Sequence, residues 1–185
     1  MKTDRTVILA TLIALAASLS PFAASKATAK GSSSTEDQSA VSVGIEYHSA
    51  NPAFEGYPYG DGDLSYGLAY EVHNQLAYWQ FAVSYAPNAT GTNTIDSVIT
   101  PELNLITKDT FWRGGIGILN SYAPSNVEGA DDWLGFYGHF ILGVGFDLGK
   151  IGVDLHAYYP FSDFGELSEF DTNGIEYGAW IRYVF

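Results

Sequence analysis

The sequence predicts an all-β protein, an eight-stranded antiparallel up-and-down transmembrane β-barrel. Three observations support this prediction. Apolar residues alternate with small or polar ones along eight segments, which is the pattern of a strand with one apolar face. The connections between the segments are alternately short and long, as in outer-membrane barrels. Only 16% of the residues are charged although 46% are hydrophobic, and a lipid-facing surface accounts for the missing charge.

The first 29 residues have the features of a secretory signal peptide. Lys2 and Arg5 precede an apolar core over 7–19, and small residues allow cleavage after Ala27 or Ala29. A retained membrane anchor is the alternative for this segment. The polar, aperiodic stretch 30–40 is predicted to be a flexible leader, and the barrel is predicted over 41–185.

The eight alternating segments average about nine residues, near the length that a tilted spanning strand needs. We predict strands over 41–48, 64–73, 79–85, 98–106, 112–118, 134–148, 151–156 and 175–185. The apolar rows are, in chain order, Val41, Val43, Ile45, Tyr47; Leu64, Tyr66, Leu68, Tyr70, Val72; Trp79, Phe81, Val83, Tyr85; Leu103, Leu105; Trp112, Ile116, Ile118; Leu134, Phe136, Phe140, Leu142, Val144, Phe146, Leu148; Ile151, Val153, Leu155; and Ile175, Tyr177, Ala179, Ile181, Tyr183, Phe185. The fourth segment alternates less regularly than the others.

The connections define two ends of the predicted barrel. Tight turns are predicted at 73–75, 107–110 and 149–150. Long loops rich in Gly, Pro, Asn and Asp are predicted at 49–63, 86–96, 121–132 and 160–173. Because the strand number is even, both ends of the barrel domain are expected on the side of the short turns.

The polar face of the strands is predicted to lie inside the barrel. It consists mainly of Gly, Ser and Ala with a few ionisable residues, which is too little charge for a surface in water. The opposite face is bulky and aromatic, which suits lipid, and rings near strand ends suit the interfacial girdles of a membrane barrel. A soluble barrel of the lipocalin kind, with its apolar row inside, is the alternative.

The C-terminal segment carries a resemblance to a known class. Its apolar row, which alternates up to a final aromatic residue, resembles the terminal assembly signal of bacterial outer-membrane proteins, with Tyr177, Ile181, Tyr183 and Phe185 as the signal residues. In strand number and loop pattern the chain resembles the small barrels of the OmpA, OmpX and OmpW type. The resemblance implies an outer-membrane location, insertion by the barrel-assembly machinery, and outer-membrane lipid and lipopolysaccharide as partners.

The inward row also contains most of the ionisable strand residues, which we expect to form a buried polar network, since unpaired buried charges are costly. Three pairs are predicted from the expected hairpin register and barrel closure. They are His156 with Glu176, Arg113 with Glu102 (and near Asn104), and Glu46 with Arg182.

A hydrolytic site is the alternative interpretation of part of this network. His156 would act as the base, with Glu176 or Asp154 as its orienting carboxylate. Eight-stranded outer-membrane barrels that modify lipid A, deacylases and palmitoyltransferases, set a precedent by resemblance. The His-x-Ser-Asn motif of the deacylases is not reproduced here, although His48-Ser49-Ala50-Asn51 comes close.

The predicted long loops are acidic and contain neither Lys nor Arg. Solvated acidic loops are one interpretation. The other is divalent-cation bridging to lipopolysaccharide phosphates, since carboxylate oxygens suit Ca²⁺, with Asp61, Asp63, Asp131 and Asp132 as candidate ligands. Tyr57 and Tyr59 in the first long loop are candidates for sugar stacking.

Composition restricts the function classes. The formal net charge of −13 at pH 7 argues against nucleic-acid binding, which needs a basic surface. The absence of cysteine excludes disulfides and thiolate metal sites. We predict a monomer with no cofactor and no metal centre. A structural or surface-interaction barrel leads, with a lipid A-modifying enzyme and a narrow pore as alternatives.

Overall fold

The computed structural model describes residues 38–49, 57–91, 95–124, 133–165 and 170–185. The predicted signal peptide and the leader residues 30–37 lie outside the described residues. The candidate cation ligands Asp131 and Asp132 lie outside them as well.

Eight strands form a single closed sheet. They are β1 (Gln38–Tyr47), β2 (Leu64–His73), β3 (Ala77–Ala89), β4 (Ile95–Asp109), β5 (Trp112–Tyr122), β6 (Trp133–Leu148), β7 (Ile151–Phe161) and β8 (Glu176–Val184). Each strand pairs antiparallel with the next, and β1 also pairs antiparallel with β8. The predicted fold class is confirmed, and so is the resemblance to small eight-stranded outer-membrane barrels as far as the architecture is concerned.

The connections lie at two different ends of the barrel, as predicted. The β2–β3, β4–β5 and β6–β7 turns lie at what we call the short-turn end, where the C-terminal Phe185 also lies and its backbone N–H donates to the carbonyl of Ser39 (3.0 Å). The other four connections lie at the long-loop end. One turn of 3-10 helix, Thr172–Gly174, precedes β8. In the described part of the chain, no helix is long and apolar enough to cross a membrane.

Several strands are longer than their alternating segments. β1 begins at Gln38, inside the predicted leader, β3 continues to Ala89 and β7 continues to Phe161. Main-chain pairing extends through these residues, since Ala89 pairs with Ile95 and Phe161 pairs with Gly138. Alternating polarity is needed only where one face of a strand contacts lipid, whereas backbone hydrogen bonding is not restricted to that level. The predicted loops at 86–96 and 160–173 are shorter for this reason.

The two faces of the barrel wall have opposite character. On the outward row, Val43 and Leu68 are 56% and 49% exposed, whereas their inward neighbours Ser42 and Ala69 are 1% and 2% exposed. The aromatic rings predicted near strand ends are exposed on the outer face; they are Tyr47, Tyr66, Trp79, Tyr85, Phe111, Trp112, Phe136, Tyr177, Tyr183 and Phe185. A soluble monomer rarely exposes a contiguous apolar patch of more than a few hundred Å². The outer wall is therefore the surface of a membrane-spanning barrel.

Trp180 occupies the middle of the barrel. Its indole N–H donates to the hydroxyl oxygen of Tyr158 (2.9 Å), which satisfies the one polar group of the buried ring. The ring lies against Gly44 of β1 and Gly67 of β2, where an added Cβ atom would stand 2.4 Å from an indole carbon. Any larger residue at these two positions would displace the indole, so the glycines set the space that Trp180 fills.

Candidate functional site

A charged cluster lies inside the barrel near the short-turn end. Arg113 of β5 and Arg182 of β8 both bind the carboxylate of Asp154 on β7, Arg113 through Nε at 3.0 Å. Arg182 also donates to the Asp147 carboxylate (2.5 Å), which Arg113 reaches at 3.5 Å. Both arginines and Asp154 are buried, whereas the side chain of Asp147 is 55% exposed. We call these four residues the short-turn cluster.

A belt of hydrogen-bonded side chains crosses the interior above this cluster. The Gln80 amide donates to Glu71 (3.1 Å), and the Asn104 amide donates to Gln80 (3.0 Å). His139 Nε2 is 2.8 Å from the Asn104 carbonyl oxygen. The Glu71 carboxylate also accepts from the Ser42 hydroxyl (2.7 Å) and contacts a ring nitrogen of His73 (2.7 Å). The belt links β1 to β6 through side chains alone.

A third group lies where the strands meet the long loops. His48, just beyond the end of β1, contacts the Glu176 carboxylate of β8 through Nδ1 (3.1 Å) and the Ser65 hydroxyl of β2 through Nε2 (2.9 Å). The Tyr57 hydroxyl donates to the other oxygen of Glu176 (2.7 Å). The Ser65 hydroxyl also donates to the carboxylate of Glu46 (3.2 Å). We call His48, Ser65 and Glu176 the rim cluster; all three side chains are buried.

Two tyrosines of the first long loop, Tyr57 and Tyr59, cover the rim cluster from above. The Tyr59 ring stacks on the His48 imidazole, with ring centroids 3.6 Å apart, and its hydroxyl bonds to Thr100 (2.5 Å). Tyr57 packs edge-on against Tyr59. Only about 10 Å³ of space remains beneath these rings, room for about one water molecule. The prediction that Tyr57 and Tyr59 are available for sugar stacking is wrong, because both rings point into the barrel and are buried.

The carboxylates around His48 control its protonation. Burial lowers the pKa of His48, but the negative charges of Glu176, Glu46 and Asp63 more than offset this and raise its pKa above the ordinary value. Burial and the charge of Glu176 also raise the pKa of Tyr57 well above its usual range. The Tyr57 side chain is therefore a neutral hydroxyl that donates a hydrogen bond to the Glu176 carboxylate.

Glu176→Gln is expected to lower the pKa of His48, because the substitution removes the largest favourable charge acting on the imidazolium. The measurement is an NMR titration of the imidazole resonances in detergent micelles. Glu71→Gln, which removes a buried carboxylate of the belt instead, serves as the control and should leave the His48 titration unchanged. An unshifted His48 pKa in Glu176→Gln would contradict the assigned contact.

The three predicted charge pairs are wrong, each because of the strand register. β7 continues beyond its predicted end, and the residue opposite Glu176 on β8 is Tyr158. His156 lies opposite Gly178 instead of Glu176. Across β4–β5 the turn is so tight that Arg113 lies opposite Lys108, far along the strand from Glu102.

The β1–β8 pairing accounts for the third error. β1 runs from the short-turn end to the long-loop end and β8 runs back, so residues late in β1 face residues early in β8. Glu46 accordingly pairs with Gly178, and Arg182 pairs with Ser42. Glu46 lies beside the rim cluster, where it accepts from Ser65, whereas Arg182 belongs to the short-turn cluster.

The predicted hydrolytic site at His156 is not assembled. Nδ1 of His156 is 3.1 Å from the Tyr158 hydroxyl, and its Nε2 has no hydrogen-bond partner among the described residues. Both proposed carboxylates are engaged elsewhere, Asp154 by the two arginines and Glu176 by His48. Among the residues that the structure describes, His156 therefore has neither an orienting carboxylate nor a serine to activate.

The loop carboxylates that the structure describes have partners within the protein. Asp63 accepts from the backbone N–H groups of Gly60 (2.7 Å) and Thr90 (2.6 Å), and so joins the first two long loops. Asp61 accepts a longer bond from the Tyr47 hydroxyl (3.4 Å). Within the described ranges, no three His, Cys, Asp or Glu side chains are grouped so as to hold a metal ion.

The sequence contained a signal for the rim cluster that our reasoning did not use. His48 follows the end of β1, and Ser65 and Glu176 stand at the starts of β2 and β8. In a closed barrel β1 lies between β2 and β8, so residues at these three strand ends are neighbours. The order of the strands around the barrel is therefore enough to predict that these three residues are neighbours at the long-loop end.

The fold and the polar interior define a class, the eight-stranded membrane β-barrels. No family model matches the chain, and no curated protein matches it. Among solved structures, the chain is similar to the outer membrane protein Ail of Yersinia pestis in a phospholipid bilayer nanodisc, with 14% identity over 81% of this chain and 100% of that chain and a TM-score of 0.46. The assignment to the class rests on the strand pairing and exposed faces of this chain itself.

Proposed function

We propose that the protein is an integral outer-membrane barrel with a structural or surface-interaction role and no open channel. The observation that carries the proposal is the segregation of the wall, with an exposed apolar row outside and hydrogen-bonded polar side chains inside. The apolar core over 7–19 and the alternating apolar row of β8 support the proposed export and assembly into the outer membrane. The long acidic loops then face the outside, where they contact lipopolysaccharide or another surface partner.

The interior argues for a closed barrel in preference to the narrow pore. Trp180, the short-turn cluster and the belt occupy successive levels, and eight strands enclose just enough space for side chains. We expect purified protein in planar bilayers to insert without discrete conductance steps. Reproducible single-channel steps would favour the pore.

The proposed location is tested by fractionation. Expressed with its first 29 residues in a Gram-negative host, the protein is expected in the outer-membrane fraction of a density gradient, with a mature N-terminus at Thr28 or Lys30. Recovery in the soluble periplasmic fraction, or in the inner membrane with residues 1–29 retained, would contradict the proposal.

Leu68→Arg is expected to destabilise the barrel by about 2–4 kcal/mol, because it places a charge on the lipid face near the middle of a strand. Leu76→Arg, in the short β2–β3 turn and 76% exposed, should cost only about 0–1 kcal/mol, since such costs fall toward the interface. Urea unfolding from lipid vesicles, followed by tryptophan fluorescence, measures both. Equal effects of the two arginines would argue against a bilayer around β2.

A further inference from the structure

The barrel holds two groups of Ser, His and Glu side chains, and their internal order differs. In the rim cluster the histidine lies between the other two residues. In the belt the carboxylate of Glu71 lies between Ser42 and His73. We propose that Ser65, His48 and Glu176 form a serine hydrolase site for the carboxylic esters of membrane lipids. This activity goes beyond the structural role proposed above.

The rim cluster has the contacts that nucleophilic serine chemistry requires. His48 Nε2 is 2.9 Å from the Ser65 hydroxyl, and Nδ1 is 3.1 Å from the Glu176 carboxylate. In the structure the Ser65 hydroxyl donates to Glu46. When the hydroxyl hydrogen rotates toward Nε2, the imidazole can accept the serine proton while Glu176 fixes the ring tautomer at Nδ1. Tyr57 and the backbone N–H of Ser49 bind the second Glu176 oxygen and hold the carboxylate in place.

The group in the belt cannot do the same chemistry. The Ser42 hydroxyl donates to one oxygen of Glu71, and His73 contacts the other oxygen. With the carboxylate in the middle, the imidazole cannot take the proton from serine. The same three residue types within one barrel thus supply a matched negative control for the rim cluster.

The rim also holds a buried polar group without a hydrogen-bond partner in the described residues. The Ser49 hydroxyl is buried and has no hydrogen-bond partner within the described part of the chain, although its own backbone N–H donates to Glu176. An unpaired buried hydroxyl is uncommon in native structures and calls for an explanation. A polar atom of a substrate, such as the carbonyl oxygen of an ester, would satisfy it.

The outer wall behind the rim cluster indicates the class of substrate. A groove of about 410 Å³ runs along the lipid-facing surface of β7, β8, β1 and β2. Its apolar lining includes Ile45, Tyr47, Leu64, Leu155, Tyr177 and Ala179. Tyr47, Leu64 and Tyr177 each adjoin a rim-cluster residue in sequence. The groove lies on the outer side of the wall and Ser65 on the inner side, so the ester of an acyl chain in the groove would reach Ser65 over the barrel rim, past the ring of Tyr59.

The reaction balances with water as the only co-reactant. Ser65 Oγ bonds to the ester carbonyl carbon while its proton passes to His48 Nε2. The bond from that carbon to the alcohol oxygen breaks, and the alcohol leaves with the proton. Water then attacks the acyl-serine, gives one proton to His48, and Ser65 departs by taking that proton. The products are an alcohol and a fatty acid, and Glu176 stays ionised throughout.

The first test is labelling of the folded, detergent-purified protein with a fluorophosphonate probe, which reacts with activated serines. We expect one adduct, located on Ser65 by peptide mass spectrometry. Ser65→Ala should lose the label and Ser42→Ala should retain it. The gel-mobility shift between heated and unheated samples reports whether each variant is folded. Because the adduct is mapped on the wild-type protein, a misfolded Ser65→Ala variant would not prevent a decision.

The second test is hydrolysis of p-nitrophenyl esters in the same detergent. Ser65→Ala and His48→Gln are expected to lower kcat/KM at least about 1000-fold. Ala179→Phe, which fills the groove, should lower the rate ratio of the dodecanoate to the acetate ester about tenfold. Val43→Phe places the same ring on the lipid-facing wall outside the groove and should leave the ratio unchanged.

Two results would overturn the proposal. One is folded wild-type protein that neither takes up the probe nor hydrolyses either ester. The other is activity that persists in folded Ser65→Ala. In either case the rim cluster is a structural network only, and the proposed membrane role, which is tested by fractionation and by Leu68→Arg, is unaffected.

Discussion

Asp154→Ala is expected to destabilise the barrel by about 3–5 kcal/mol, because it leaves Arg113 and Arg182 buried without the carboxylate that both bind. Removing one member of a buried charge group costs more than the group contributes, since the remaining charge is uncompensated. Equilibrium urea unfolding of the barrel from lipid vesicles measures the loss.

Asp147→Ala is the matched control for this prediction. Asp147 binds the same two arginines, but its side chain is half exposed, and water can replace it. The expected loss is at most about 1 kcal/mol. If both variants lost the same unfolding free energy, the burial of Asp154 would not explain its contribution to stability.

Trp180→Ala is expected to cost about 3–5 kcal/mol, the range seen when a buried aromatic ring is truncated and a cavity remains. Trp180 is 1% exposed inside the barrel, whereas Trp79 is 45% exposed on the outer wall. Trp79→Ala should therefore cost much less. Unfolding free energies from urea titration in lipid vesicles compare the two variants.

The packing of Trp180 against Gly67 allows a sharper check by a double-mutant cycle. Gly67→Ala alone is expected to destabilise the barrel, because the new Cβ atom would stand 2.4 Å from the indole. In the Trp180→Ala background the same substitution should be close to neutral. Independent, additive effects would contradict the close approach of glycine and ring.

The strand number, the order of strands and the inward and outward faces could all be predicted from the sequence. Alternation is imposed by the contrast between lipid and interior, and it was clear in segments such as 64–73, whose bounds match β2. Even the irregular fourth segment was placed correctly, because the strands before and after it fixed the count.

The interior contacts could not be predicted, because they depend on register. The β4–β5 turn is tighter than expected, so Arg113 lies opposite Lys108 and not Glu102. β7 is longer than expected, and His156 lies opposite Gly178 and not Glu176. The inward position of Tyr57 and Tyr59 had no periodic signal at all. These rings come from a loop, and their burial depends on the hydrogen bonds that Tyr57 makes to Glu176 and Tyr59 makes to Thr100.

The unequal strand lengths give the barrel wall an uneven height. β4 and β6 have 15 and 16 residues, whereas β1 and β2 have 10 each and β8 has 9. At about 3.3 Å per residue, six more residues add roughly 20 Å to the length of a strand. The sheet is therefore shortest at β8, β1 and β2, where Tyr59 of the first long loop, stacked on His48, closes the rim in place of further strand residues.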